Sequence, residues 1–226
     1  MARARHHQNS SRVISLAEYR HRRTPYPLRL SPEHDGLELL YANERHPDQL
    51  FALGILAWAR FSDGSTRAMV PWLDEVVSEC NLTDPLNGHW VGYRLPGADT
   101  MFCEAPAHKE QELETALAFF GGTGEAVQPQ EFADTIGTHA IFADPDFEEI
   151  RVAEVISWRL RENGSLDAMV ADPAEVTSTP VLPGDACLRP VQDQPDFRYF
   201  FQHHLANKLK HQDPETLAAL AMLGSD

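Results

Sequence analysis

The chain contains one stretch of sequence twice, one hundred residues apart. Residues 55–76 and 155–176 align without a gap, and eight positions are identical in the two copies. In the first copy these are Trp58, Gly64, Ser65, Ala68, Met69, Val70, Glu75 and Val76, and in the second Trp158, Gly164, Ser165, Ala168, Met169, Val170, Glu175 and Val176. A repeat constrains the fold strongly, because each copy is expected to form the same supersecondary unit and to pack against its neighbour.

The similarity extends beyond this stretch in both directions. Upstream, residues 39–42 (LLYA) resemble residues 140–143 (AIFA), and each segment is followed by a Pro-Asp dipeptide. Downstream, Leu-Pro-Gly recurs at 95–97 and 182–184, with a cysteine after each. These matches indicate that a whole folding unit was duplicated.

The best-supported element of each copy is a β-hairpin. Asp63-Gly64 and Asn163-Gly164 are dipeptides typical of type I′ turns, in which both central residues have positive φ. In the second copy apolar and polar residues alternate along the first strand, which predicts a sheet with one solvent-facing side. The apolar set is Ile156, Trp158 and Leu160, and the polar set is Ser157, Arg159 and Arg161.

The first copy differs on the face that is polar in the second. The face consists of Ile55, Ala57, Ala59 and Phe61, and the last three stand where the second copy carries Ser157, Arg159 and Arg161. This apolar face is expected to be buried against the second unit, a helix or another subunit. We therefore take these four residues as candidates for a partner- or ligand-binding surface.

Two helices are predicted after the strands of each unit. The longer ones are expected over 106–120 and 196–210, from apolar residues at three- and four-residue spacing. The shorter ones are expected over 129–137 and 213–224, where proline stands near the start and glycine at the end. The predicted fold is therefore α+β: a tandem duplication of a hairpin-rich unit of three to four antiparallel strands followed by two helices.

Three segments follow from this organisation. Residues 1–37 form a basic, flexible N-terminal arm and linker, residues 38–137 the first α+β unit, and residues 138–226 the second. A chain of 226 residues can bury a substantial core, either as one domain or as two small ones in contact.

Charge is distributed unevenly along the chain. Six arginines and one glutamate give residues 1–23 a balance of +5, which leaves −20 for the remainder of the −15 total. An acidic body repels nucleic acid, so nucleic-acid binding is not expected. It favours either solubility alone or docking onto a basic protein partner. Arg20, Arg22 and Arg23, at the end of the basic arm, are further binding candidates.

The location is expected to be cytoplasmic. Cys80, Cys103 and Cys187 are odd in number and widely spaced, which favours a reducing compartment over a disulfide framework. The N-terminus lacks the apolar core of a signal peptide, and the longest apolar run, residues 50–59, is too short to span a membrane.

No motif predicts a metal or a cofactor. Adjacent His203 and His204 point in different directions on a helix, and His211 is two turns from His204, so the three do not chelate one zinc. Residues 121–124 (GGTG) follow a helix and lack the lysine of a phosphate-binding loop. The acidic residues of 144–149 lack the glycine and ligand register of an EF-hand.

Trp58 and Trp158 are the last site candidates. They are interpreted either as anchors of two cores or as a paired aromatic ligand pocket.

The sequence predicts a non-enzymatic acidic interaction protein of a bacterial type, such as a regulator, an inhibitor or an immunity-like protein, that binds a protein partner. The alternative is an enzyme with a cleft between the units, using His89, His139 or the 203–204 histidines with Glu75, Glu175 or Asp185 as acid and base. A homo-oligomer is compatible with both.

Overall fold

The computed structural model of the protein describes residues 24–43, 46–79, 82, 89–119, 126–144, 150–171 and 188–202. Within these ranges it has fourteen strands, one α-helix and a 3-10 turn at Val191–Asp193. The strands of the first half are β1 Pro27–Pro32, β2 Glu38–Asn43, β3 His46–Gly54, β4 Ala57–Phe61, β5 Thr66–Trp72, β6 Glu75–Ser78 and β7 His89–Arg94. After helix α1, Ala107–Phe119, come β8 Gln130–Ala133, β9 Thr138–Ala143, β10 Ile150–Glu154, β11 Ser157–Leu160, β12 Leu166–Ala171, β13 Leu188–Pro190 and β14 Phe197–Gln202. No helix in the described ranges is long and apolar enough to cross a membrane.

The two halves share one topology of seven antiparallel strands. A four-stranded sheet in the order β1-β4-β5-β6 corresponds to β13-β12-β11-β8 read in reverse. A three-stranded sheet in the order β3-β2-β7 corresponds to β10-β9-β14. The repeat in the structure therefore runs over β1–β7 and over β8–β14, and α1 lies between them. Residues 27–32, which the sequence analysis placed in the linker, form the first strand.

The prediction of an α+β fold with two helices in each unit is wrong. The helix predicted over 106–120 is present as α1, but the segment 129–137 contains β8, whose Phe132 pairs with Trp158 of β11. Gly137, read as a helix stop, has φ +68° in the turn before β9. Proline and glycine limit strands as well as helices, so their positions alone did not decide between the two.

The predicted helix over 196–210 begins instead as β14, and residues 203–226 lie outside the described residues. A register shift between Phe197 and Tyr199 in the pairing with β9 explains the error. The bulge places Phe197 and Phe200 close together, with ring centroids 4.9 Å apart. Three-residue spacing on one face imitates a helix, although the aromatic composition of β14 is typical of a strand.

The two central hairpins are confirmed, but their turns are not type I′. The Gly64 N–H donates to Phe61 O at 2.9 Å and the Gly164 N–H to Arg161 O at 2.9 Å. Gly64 and Gly164 have φ of +84° and +83°, while Asp63 and Asn163 do not have positive φ. These are three-residue loops with a type I turn and a glycine bulge. The side chains of Asp63 and Asn163 accept hydrogen bonds from Ser65 and Ser165, which stabilises the turn instead.

The apolar face of the first copy is buried within the chain. Ala57, Ala59 and Phe61 are 0%, 0% and 4% exposed and belong to a core cluster that contains Trp158 and Phe200 of the second repeat. The other side of β4 carries Trp58, which belongs to the first repeat's own core. Strand β4 is thus buried on both faces, and its second face joins the two repeats.

Two glutamine side chains of the second repeat form hydrogen bonds to the backbone of the first, and we call these contacts the glutamine seams. The Gln130 amide accepts from the Leu30 N–H at 3.2 Å and donates to Leu30 O at 3.0 Å, so it continues β1 as another strand would. The Gln202 amide does the same for Gly54, at 2.7 Å and 3.3 Å. Gln202 is 2% exposed, so its loss would leave buried backbone groups without partners.

Because β4 is a wall shared by the two cores, equivalent substitutions in β4 and β11 should lower the free energy of unfolding by different amounts. Ala59→Leu inserts volume between the two cores and should lower the free energy of unfolding by about 1–3 kcal/mol. Arg159→Leu, at the matching position, loses an exposed ion pair with Glu131 and should cost less than about 1 kcal/mol. Urea denaturation followed by tryptophan fluorescence measures both. Equal costs at the two positions would show that β4 is not a wall between the repeats.

Candidate binding cleft and buried carboxylates

The two repeated tryptophans are held by the same interaction. The Trp58 indole N–H donates to Glu33 Oε2 at 2.6 Å, and the Trp158 indole N–H donates to Asp134 Oδ1 at 2.8 Å. Each carboxylate also accepts from a backbone N–H four residues along the chain, Leu37 at 3.5 Å and Thr138 at 3.0 Å. The carboxylate therefore ties the turn before the second strand to the indole.

An aromatic ring packs on each indole from an equivalent strand. The Trp58 and Tyr93 centroids lie 4.9 Å apart, and those of Trp158 and Phe200 5.4 Å apart. Both tryptophans are 0% exposed. This placement favours the core-anchor interpretation, because a fully buried ring offers no surface to a ligand.

Glu79 is a buried acid in the first repeat and is 7% exposed. Burial raises the pKa of Glu79 to about 7, although the positive charge of Arg67 and a hydrogen bond from Tyr93 favour the carboxylate. The acid thus sits next to the ring that packs on Trp58.

The second repeat lacks both members of this polar pair. Met69 pairs with Ser78, and Met169 with Pro190, so the next residues, Glu79 and Val191, are equivalent. Tyr93 pairs with Leu39, and Phe200 with Ala140, so these two rings are equivalent as well. A valine and a phenylalanine replace the pair in the same fold, so the strand arrangement does not require a buried carboxyl there.

The sequence-predicted binding residues do not form one surface. Ala57, Ala59 and Phe61 are buried between the repeats, and Ile55 is 0% exposed in the first repeat's own core. Phe61 also lines the cleft described below. Arg20, Arg22 and Arg23 lie outside the described residues.

The predicted acid and base residues are also dispersed. His89 begins β7, His139 is in β9 and Glu75 begins β6, which places them in three different sheets. The 203–204 histidines, Glu175 and Asp185 lie outside the described residues, as do residues 121–124 and 145–149. Among the described residues, no group of three or more histidine, cysteine or acidic side chains could hold a metal ion.

A cleft of about 1020 Å³ lies where the first repeat meets the hairpin of the second. Five parts of the chain form it: the segment leading into β1, the end of β4, the strands β5 and β6 with the turn between them, the second hairpin's turn with the start of β12, and the 3-10 turn. The lining residues are Thr24, Pro25, Tyr26, Pro27, Phe61, Met69, Asp74, Glu75, Val76, Val77, Ser78, Gly164, Ser165, Leu166, Asp167 and Gln192.

Contacts between the repeats fix one wall of the cleft. Tyr26 is tied to the first hairpin, since its N–H donates to Ser62 Oγ at 3.3 Å and its carbonyl accepts from the Ser62 N–H at 2.9 Å. The second hairpin contacts the other side of Tyr26. A Cβ at Gly164 would lie 3.4 Å from the Tyr26 Cβ, and its φ of +83° favours glycine.

The described lining residues include three acids and no base. Asp167 is 6% exposed and is paired with Arg161, so its charge is compensated. Asp74 and Glu75 are exposed at the turn between β5 and β6 and form the acidic rim of the cleft. Partial burial of its carboxyl, and then the charge of Asp74, raises the pKa of Glu75. A cation bound at the rim would relieve that repulsion.

Apart from the acids, most of the cleft lining is apolar, and Thr24, Ser78, Ser165 and Gln192 add neutral polar groups. The larger apolar lining residues are Tyr26, Phe61, Met69, Val76, Val77 and Leu166. Ser78 is 1% exposed, and its hydroxyl has no hydrogen-bond partner among the described residues. An unpaired buried hydroxyl costs free energy.

Sequence reasoning singled out Phe61 and Glu75 but did not predict the cleft that both line. Tyr26 and Pro27 were read as linker, and Leu166 and Asp167 only as part of a hairpin. The residues come from positions as far apart as 24 and 192, so no local pattern joins them. The one signal was Tyr26 itself, a large aromatic in a segment otherwise rich in proline.

Comparison with protein-family models, with curated proteins and with solved structures gives no match.

Glu79 predicts how stability depends on pH. Its pKa is about 7 in the folded protein and near the ordinary 4.5 when unfolded, so the folded state binds the proton more tightly. The stabilisation that the folded protein gains from binding this proton is complete below pH 4.5 and is lost as the pH rises through about 7. The free energy of unfolding falls by as much as about 3 kcal/mol over this pH range. Glu79→Gln should remove this decline and unfold with a higher free energy than the parent chain at alkaline pH, as measured by urea denaturation across pH.

A second variant, Glu79→Val with Tyr93→Phe, places in the first repeat the residues that the second repeat has at 191 and 200. It should fold and should also remove the decline. An unchanged pH dependence in both variants would refute the assignment to Glu79.

Proposed function

We propose that this protein is a non-enzymatic interaction protein that binds a protein partner, and that the cleft between the repeats docks a basic segment of that partner. A bacterial regulator, inhibitor or immunity-like protein would act in this way. The cytoplasm, which the cysteine pattern favours, is the proposed location.

The cleft's composition carries the proposal. An apolar interior next to an acidic rim suits a segment that presents an apolar side chain beside a lysine or arginine. The described lining residues include no lysine, arginine or histidine, so no lining side chain competes with the ligand's cation for the acids. The −15 net charge of the whole chain adds long-range attraction for a basic partner.

The dispersion of acid and base groups supports a binding role. General acid–base catalysis needs groups within hydrogen-bond reach of one substrate. Of the described candidates, Glu75 alone lines the cleft, and His89 and His139 belong to other sheets.

One observation favours the enzymatic alternative. Glu75 lies in the cleft with a raised pKa, which is a property of catalytic carboxyls. A substrate-like small molecule that binds without any basic group, and whose affinity depends on Glu75 being protonated, would support that alternative instead.

Binding of a short peptide that alternates leucine and arginine tests the proposal. The peptide should bind the full chain, and its counterpart with glutamate for arginine should not. Neutralising the rim with Asp74→Asn and Glu75→Gln should weaken binding about five- to tenfold. Isothermal titration calorimetry at low and high salt measures this. The matched control neutralises two exposed acids outside the cleft, Glu104→Gln with Glu110→Gln, and should change the affinity less than twofold.

The same peptide gives a pH prediction. Because the carboxylate form of Glu75 attracts the cation, affinity should fall as the pH is lowered through the raised pKa of Glu75. In the rim-neutralised variant that dependence should be reduced. Binding that is independent of salt and pH, or that is equally weak in the rim and control variants, would contradict docking at the rim.

A further inference from the structure

The basic arm, residues 1–23, joins the described chain at the cleft itself. Thr24 is a lining residue, and Arg23 is bonded to it. Consecutive Cα atoms are about 3.8 Å apart, so Arg23 begins at the cleft wall. Arg20 is four residues from Thr24, so its Cα lies within about 14 Å of that wall. A long arginine side chain adds further reach.

The position of Thr24 follows from the contacts of Tyr26. Tyr26, two residues later, is hydrogen-bonded to Ser62 of the first hairpin and lies against Gly164 of the second. The end of the arm is therefore held beside the place where the hairpins meet and cannot start elsewhere on the surface.

The charges of the arm and the cleft are complementary. Residues 1–23 carry +5, and three of the six arginines lie within the last four positions. The rim offers Asp74 and Glu75, and the described lining residues include no base. A tether this short gives a local concentration on the order of millimolar, which favours even a weak contact.

We propose that Arg20, Arg22 and Arg23 bind the acidic rim of the cleft within the same molecule and so compete with a basic partner for it. This inference rests on the proposed function, because it makes the arm an internal competitor at the same site. A partner would have to displace the arm, and its observed affinity would be reduced by the fraction of molecules with an occupied rim.

Two full-length variants with the same change in charge test the proposal. The first replaces the near arginines, Arg20→Gln, Arg22→Gln and Arg23→Gln. The control replaces the far ones, Arg3→Gln, Arg5→Gln and Arg12→Gln. All six residues precede the folded strands, so both proteins retain the sequence of the fold.

The first measurement is the titration of the Glu75 carboxyl by carbon NMR. Removing the near arginines should raise the pKa of Glu75, since a neighbouring cation is lost, and removing the far ones should leave it unchanged. Equal shifts in the two variants would overturn the proposal, because they would show only the effect of total charge. A shift that disappears on dilution would also overturn it, because the contact would then be between two molecules.

The second measurement is the affinity of the alternating leucine–arginine peptide for the same proteins. The near-arginine variant should bind it about three- to tenfold more tightly than the parent chain, and the far-arginine variant should bind it as the parent does. Equal affinity for all three proteins, with no shift at Glu75, would overturn the arm contact and leave partner docking intact. A Glu75 shift without peptide binding to any of them would support the arm contact and count against partner docking.

Discussion

The burial of β4 on both faces is the constraint on which the rest of the structure depends. One face places Trp58 in the first repeat's core, and the other places Ala57, Ala59 and Phe61 in the core of the second. An apolar strand between two cores cannot be exposed without losing both, so the repeats must stay together. The glutamine seams at Leu30 and Gly54 satisfy the backbone groups that this contact buries. The cleft exists because the same contact brings the hairpin of the second repeat to Tyr26.

The repeats are alike where the fold requires it and differ where their surroundings differ. The indole–carboxylate pair is present in both, at 2.6 Å and 2.8 Å, because each copy needs to hold its turn against its central strand. The outer face of β11 carries Arg159 and faces solvent, whereas the matching face of β4 is apolar. The buried Glu79–Tyr93 pair has become Val191–Phe200 in the second copy. Asp74 and Glu75 of the first repeat form the acidic rim of the cleft, whereas Glu175, which matches Glu75 in the second repeat, lies outside the described residues.

Much of the local structure could be predicted from the sequence, and the assembly could not. The duplication, the two hairpins and α1 were all evident from local residues. The turn type was misjudged because only Gly64 and Gly164 adopt positive φ, and side chains of Asp63 and Asn163 stabilise the loops instead. The prediction of a helix at β14 is wrong because Phe197 and Phe200, three residues apart, suggest a helical face. In the structure a bulge brings these two rings together within a strand. The cleft was not predictable, because it depends on which face of β4 is covered and by what. The apolar face of β4 was recognised, but a sequence pattern does not show its partner.

Native-state hydrogen exchange tests the central claim, that one shared wall unites the two repeats into a single cooperative structure. The amides to follow are those of the paired strands β4–β5 and β11–β12, at increasing denaturant concentrations below the unfolding transition. If β4 unites the two repeats, the slowest amides of both hairpins will exchange with the same opening free energy and the same denaturant dependence. Two distinct opening free energies, with the second hairpin exchanging while the first stays protected, would contradict that claim.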